Sequence, residues 1–184
     1  YCGKFTLEQW IANKRIPCYY LSKLNTPEAE QALRKYDADV FLFCVFDKIA
    51  RSNIINMPRY GTYNLHLGKL PSYKGGFSSF WALKNSDPTT GSSFHNVNEK
   101  IDDGFLLGEV IFPVETKSFY KLMSKTIHHS KKLLLDSLTL INNTRNFETL
   151  NRKSINLSNR STSYYLYPTF RDLRTFYKKG CRLF

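Results

Sequence analysis

No apolar run in this chain approaches the ~20 residues that a membrane-spanning helix needs. The longest, Asp39–Phe46 and Leu133–Leu140, are core-sized and interrupted by polar side chains. The start of the chain has neither the basic segment nor the apolar segment of a secretory signal, so a membrane is not expected as a partner. Cysteine is scarce: four residues, at positions 2, 18, 44 and 181. None forms a Cys-x-x-Cys pair, and the spacing fits no zinc site, so no metal is expected. With this much core-forming sequence a disulfide framework is not expected, and a reducing cytoplasm is the expected location. Cys44, inside an apolar run, reads as a small core hydrophobe. There is no Gly-x-Gly-x-x-Gly, no Walker loop and no Gly-x-Ser-x-Gly elbow. Gly75-Gly76 alone reads as a turn, which removes the glycine-rich phosphate cradles from consideration.

What remains is ordinary globular composition: 42% hydrophobic and 23% charged residues over 184 positions, enough for one domain with a core and unlike a disordered chain. Charge is uneven. Residues 1–110 carry 13 basic and 11 acidic side chains, whereas residues 111–184 carry 14 and 4. Most of that excess reads as solvated surface; the rest would suit an anionic partner, a nucleotide diphosphate, a nucleic acid or a membrane surface.

Thr6 followed by apolar residues at 7, 10 and 11 predicts a capped helix. Ile16–Leu21 reads as a short strand. Thr26-Pro27-Glu28 opens a helix that runs to about Lys35. Asp39–Phe46 reads as a strand covered on both faces, Ala50–Met57 as a short helix, and Gly61–His66 as the next strand. This alternation predicts right-handed crossovers and an α/β fold, a Rossmann-like, mainly parallel sheet flanked by helices. Ligands of such sheets sit beyond the strands' carboxyl ends, near Phe46–Lys48 and Asn64–His66. Leu67–Phe77 reads as a loop and Ser78–Lys84 as a helix with Phe80, Trp81 and Leu83 inward. Gly91–Val97 and Phe105–Val114 read as strands around a turn at Ile101–Gly104. A long amphipathic helix is predicted over Ser118–Ile141, with apolar residues at 119, 122, 123, 127, 134, 138 and 141. The division expected is a core domain over 1–150 and a short basic, aromatic C-terminal extension over 151–184, with no core of its own.

Asn64 and His66 lie two apart on a strand, so their side chains converge at its carboxyl end. That pattern alone also fits a structural strand cap. His128-His129, adjacent on a helix, point in different directions and read as surface or partly packed.

The surrounding residues add more. Asn64-Leu-His66-Leu-Gly-Lys-Leu70-Pro71-Ser-Tyr-Lys-Gly75 resembles the Asn-x-His…Leu-Pro-x-x-x-Gly signature of the folate-dependent formyltransferases. Gly91-Ser-Ser-Phe-His95 followed by Ile101-Asp102-Asp103-Gly104 resembles that family's second motif, Ser-Val-His…Leu-Asp-x-Gly. The resemblance extends from about Tyr36 to Leu140. It implies the formyltransferase fold, with a first strand that a sequence starting at Tyr1 lacks, and a catalytic trio of Asn64, His66 and Asp102. The implied co-substrate is 10-formyltetrahydrofolate, whose formyl carbon is attacked by an amine. Asn64 and a protonated His66 would donate to the oxygen that becomes negative. Asp102 would keep His66 charged and, directly or through water, take the amine's proton. His95 would hold the Asp102 loop or simply pack in the core. Phe46, Lys48, Ile49 and Ala50, with Val97 and Asn98, would line the folate pocket. The family favours small or apolar residues there, so Asp47 and Lys48 depart from it, as Asp103 and Phe105 depart from Leu-Asp-Thr-Gly-Asp.

Three acceptors fit the family: glycinamide ribonucleotide, methionyl-tRNA and a nucleotide-linked aminosugar. The roughly 45 residues after Leu140 are too few for the barrel of the tRNA enzymes, so nucleic acid is not the expected partner. The stretch from Ser161 to Tyr177 is similar to tails of sugar-nucleotide N-formyltransferases. The expectation is therefore a dTDP- or UDP-aminosugar, with Lys74, Gly75, Tyr164, Tyr165 and Arg171 (and Arg174) around it by stacking and phosphate pairing. The alternative for these aromatics is packing of the tail onto the domain. The alternative functions are glycinamide-ribonucleotide or methionyl-tRNA formyl transfer, or a non-catalytic folate- or nucleotide-binding relative. A homodimer is compatible with this reading.

Overall fold

In a computed structural model, residues 6–100, 102–152, 155–156 and 163–184 are described. Tyr1, Cys2, Ile101, Ser161 and Thr162, and the side chain of Leu7, lie outside the described residues. Helix α1 (Leu7–Asn13) opens on a capping box, Thr6 accepting from the Gln9 N–H while Gln9 bonds back. Helix α2 (Pro27–Arg34) opens as its sequence predicts, with Thr26 as cap and proline at the first turn. No strand forms at Ile16–Leu21, where the backbone is irregular and most side chains are exposed. β-prone residues alone did not make a strand there, because no neighbouring strand pairs with them.

The main sheet orders five strands as β1-β2-β4-β5-β6. Strand β1 is Phe41–Cys44, β2 Thr62–His66, β4 Thr89–Asn96, β5 Phe105–Pro113 and β6 Ile155–Asn156. The short helix α3 (Ser52–Ile55) connects β1 to β2, which pair in parallel as the alternation implies. The pairings β2–β4, β4–β5 and β5–β6 are antiparallel. The α/β class and the helix-flanked sheet hold, and the described sheet is mixed. The turn at 102–104 leads into β5 directly beside β4, which leaves no room for a crossover helix.

Strand β1 is not covered on both faces. Phe41 and Phe43 pack with Ala50, Ile54, Ile55 and Val97, but Leu42 and Cys44 are exposed and Val45 is 83% exposed. Cys44 is therefore not a core residue: alternation puts it on the face that no described helix covers.

Helix α4 (Ser78–Asn85) buries Phe80, Trp81 and Leu83 as predicted. Helix α5 (Phe119–Thr144), capped by Ser118, crosses the sheet. Its buried stripe is Leu122, Thr126, Ser130, Leu133, Ser137 and Ile141, whereas Ile127 is 42% exposed. Small hydroxyl residues let the helix approach β4 closely: Ser130 Oγ lies 2.6 Å from Ser92 Oγ and bonds the Thr126 carbonyl at 2.6 Å. The apolar pattern missed this because the contact face is built from small polar side chains that bond back to their own helix.

The remaining described elements pack on this body. Helix α6 (Phe147–Arg152) follows α5. Within the loop expected over Leu67–Phe77, residues Lys74–Gly75 form a two-residue strand β3, paired in parallel with β7 (Tyr164–Tyr165). Helix α7 (Phe170–Lys178) puts Phe176, fully buried, into a cluster with Phe80, Trp81, Leu122 and Phe112. Phe112 also stacks on His129 at 4.4 Å, and both His128 and His129 remain exposed, as expected of a surface or partly packed pair. No described helix is long and apolar enough to cross a membrane.

Candidate active site

Strand β2 ends at the carboxyl rim with Asn64 and His66 on one face, separated by the core residue Leu65. Antiparallel pairing sets His95 of β4 opposite Asn64. The turn after β4 then brings Asp102 back over both. Its Oδ2 lies 3.5 Å from His66 Nδ1 and its Oδ1 3.4 Å from His95 Nε2. Asn64 Nδ2 donates to Asp102 Oδ1 at 3.3 Å and to His95 Nε2 at 3.2 Å. The turn closes this tightly only because residue 104 is glycine: a Cβ there would sit 1.8 Å from the Asn96 carbonyl oxygen. Gly75 is required too, since at φ +89 it would push a Cβ to 2.2 Å from the Tyr165 carbonyl oxygen. Its N–H donates to Asp102 Oδ2 at 2.8 Å, the shortest contact on that carboxylate.

Two carbonyls fix the imidazole tautomers. His66 Nε2 faces the Tyr73 carbonyl at 2.6 Å and His95 Nδ1 faces the Asn96 carbonyl at 2.8 Å. A carbonyl only accepts, so each of these nitrogens carries a proton. That leaves Nδ1 of a neutral His66 bare toward Asp102. Burial is the largest influence on His66 and lowers its pKa from 6.5; Asp102 opposes this, His95 adds to it, and the bond to Tyr73 opposes it. The net direction is down, so the ring is neutral at pH 7, not protonated as the sequence reading expects. Desolvation of a ring only 8% exposed outweighs one neighbouring carboxylate. For Asp102 burial works upward, but the contacts with His95, His66 and the Gly75 N–H outweigh it and bring the pKa down to about 2. The carboxylate is ionised at neutral pH.

Beside the trio lies a pocket lined by Phe46, Lys48, Ile49, Ala50, Val97 and Asn98, the six residues expected around a folate, together with Asn64 and Asp102. Phe43, His95, Glu99 and Lys100 also line it. The sequence reading did not single out Phe43, Glu99 or Lys100. Phe43 was accessible to it, being two residues from Phe41 on one strand face, and it stacks on Phe46 at 4.2 Å. Asn25 was not: its side chain bonds the Ile49 carbonyl and the Arg51 N–H, both at 2.8 Å, and so fixes the pocket loop. Lys48 donates to the Ser22 carbonyl at 2.9 Å. A larger cavity at the opposite rim, between Asp39, Tyr60 and Arg145, holds none of the trio.

Of the residues expected around an acceptor, Lys74 is buried and pairs with Asp103. Tyr165 stacks on Tyr73 at 5.1 Å and packs at a tilt against Trp81 at 4.8 Å. Tyr164 and Arg171 are exposed. Among the described residues no group of three or more His, Cys, Asp or Glu could hold a metal ion.

An amide, an imidazole and a carboxylate thus gather at the carboxyl rim of an α/β sheet, beside an aromatic-walled pocket. The chain belongs to the formyl transferase family, whose model matches residues 8–138. It is 32% identical over 130 residues to the bifunctional polymyxin resistance protein ArnA of Wigglesworthia glossinidia brevipalpis, covering 71% of this chain and 19% of that protein. It is 30% identical over 136 residues to the methionyl-tRNA formyltransferase of Bacteroides fragilis, covering 73% of this chain and 42% of that one. The chain thus spans less than half the length of these relatives. Its fold is similar to that of the N-formyltransferase from Helicobacter canadensis, solved with folinic acid and dTDP-3-aminofucose, with a TM-score of 0.67 at 22% identity, over 87% of this chain and 54% of that one.

Proposed function

We propose that this site transfers a formyl group from 10-formyltetrahydrofolate to the amine of a nucleotide-linked aminosugar. The carrying observation is the convergence of Asn64, His66 and Asp102 beside the pocket of Phe46, Ile49, Ala50 and Val97. The pocket's chemistry fits the co-substrate: aromatic and aliphatic walls suit a flat pterin ring, and Lys48 and Lys100 are cations for its carboxylates. When bound, the folate supplies an activated formyl carbon. Asn64 donates to the oxygen that becomes negative as the amine adds. Its present bonds of 3.2 and 3.3 Å are long, and a donor held so loosely passes readily to a charged acceptor. His66 Nδ1 takes the proton released by the amine. The resulting imidazolium is held between the Tyr73 carbonyl and ionised Asp102, and the proton is then available to the departing nitrogen.

The sugar assignment is supported by the reach of the structural likeness. It covers 85–87% of this chain for three sugar N-formyltransferases and 61–71% for two glycinamide-ribonucleotide enzymes. A second reading, methionyl-tRNA as acceptor, is favoured by the sequence relatives. The deciding experiment incubates the protein with 10-formyltetrahydrofolate and, separately, dTDP- and UDP-aminosugars, glycinamide ribonucleotide and methionyl-tRNA. Mass spectrometry reads the gain of one CO. Formylation of an aminosugar alone is expected; formylation of methionyl-tRNA alone would overturn the acceptor, and no formylated product would overturn the activity.

A further inference from the structure

Asp102 sits in the left-handed region at φ 47, an uncommon place for a residue with a side chain. Something must hold the turn there. Three of the contacts on its carboxylate, from Asn64, His95 and His66, are 3.3 to 3.5 Å long. The short one comes from the Gly75 N–H at 2.8 Å. That bond depends on the placement of β3, a strand of only two residues whose one sheet partner among the described residues is β7. Immediately beside it, the Lys74 ammonium meets the Asp103 carboxylate, both side chains largely buried at 8% and 13% exposure. Consecutive residues of β3 therefore grip consecutive residues of the turn: Lys74 grips Asp103, and Gly75 grips Asp102. Asn98 adds a bond from its side-chain amide to the Asp103 carbonyl at 3.3 Å. A buried ammonium cannot leave its counter-ion without a large desolvation cost, so the pair has one geometry and imposes it on its neighbours.

We infer that the Lys74–Asp103 ion pair is a positioning device for Asp102, fixing β3 against the turn so that the Gly75 N–H stays on the carboxylate. Lys74 is then a structural cation of the site and not a contact to the acceptor's phosphates. The inference rests on the proposed formyl transfer only for its consequence in catalysis; the geometry it concerns is read without any substrate.

The titratable groups facing Asp102 are His66 from β2 and His95 from β4, and Asp103, next to it in the turn, is paired with Lys74 of β3. Removing the Asp103 charge separates two effects of opposite sign. By charge alone, losing a neighbouring anion makes Asp102 more acidic. By loss of position, Asp102 gives up its backbone hydrogen bond and becomes less acidic. The test is carboxyl-carbon NMR of the free protein at acidic pH, with the Asp102 signal assigned by its absence in Asp102→Asn. In Asp103→Ala the midpoint is expected to move up by about one pH unit, so that a carboxylate ionised at pH 3 becomes about half protonated there. Should the unpaired lysine prevent folding, the double variant Lys74→Met/Asp103→Leu removes both charges and fills the space, and the same upward movement is expected. A midpoint unchanged or lowered in the folded variants, with only the melting temperature reduced, would overturn the inference. Failure of the formylation assay would leave this measurement standing, and the reverse holds equally.

Discussion

Replacing Phe176 by alanine tests whether the last helix belongs to the core. The ring is 0% exposed. It stacks on Phe80 at 4.6 Å and meets the edge of Tyr177 at 5.6 Å, within the cluster that holds Trp81, Leu122 and Phe112. Returning such a ring to water costs roughly 1.5–3 kcal/mol. The void left among rings anchored on α4 and α5 adds to this, because two long-range helices cannot collapse into it, and the total is about 3–5 kcal/mol. For a chain of this size each kcal/mol lowers the melting temperature by roughly 2–4 °C, so the drop is roughly 6–20 °C. Urea titration followed by circular dichroism gives the free energy, and a thermal melt gives the temperature. Phe170→Ala is the control, since Phe170 is 85% exposed on the same helix and its loss should fall within about 0.5 kcal/mol. If Phe176→Ala costs no more than Phe170→Ala, α7 is not part of the folded core and the packing argument fails.

Asn64→Ala should lower the rate of formyl transfer by ~10²–10³ with folate affinity nearly kept, as for the loss of one oxyanion donor; stopped-flow binding and turnover measured together check it. Asp102, with a folded-state pKa of about 2 against an ordinary 3.8, contributes stability that is fully present above about pH 4 and lost as the pH falls toward 2. Urea stability of wild type relative to Asp102→Asn should therefore decline by about 2 kcal/mol across that window, and asparagine tolerates the left-handed backbone, so strain does not enter. Gly104→Ala should disturb the 102–104 turn, because its Cβ would meet the Asn96 carbonyl oxygen at 1.8 Å; amide exchange at Phe105 should rise, and unchanged exchange would show that the turn can yield.

The local sequence determined the elements whose signals are local. Thr6, Thr26 and Ser118 announce helix starts because a cap is a contact between residues three apart. Asn64 and His66 share a strand face because side chains alternate along any strand. The motif at Asp102-Asp103-Gly104 marked a residue of interest without saying what it would touch. Only the tertiary structure decided that Asp102 reaches Asn64 across 38 positions, since this contact depends on the register of β2 against β4. It decided that β3 and β7 pair, because a two-residue strand has no periodicity to read. It decided which face of β1 is bare and which small hydroxyls of α5 meet the sheet, because burial depends on what arrives opposite. It also decided the charge of His66: sequence gives an imidazole its ordinary pKa, and burial of the ring within the fold lowers it.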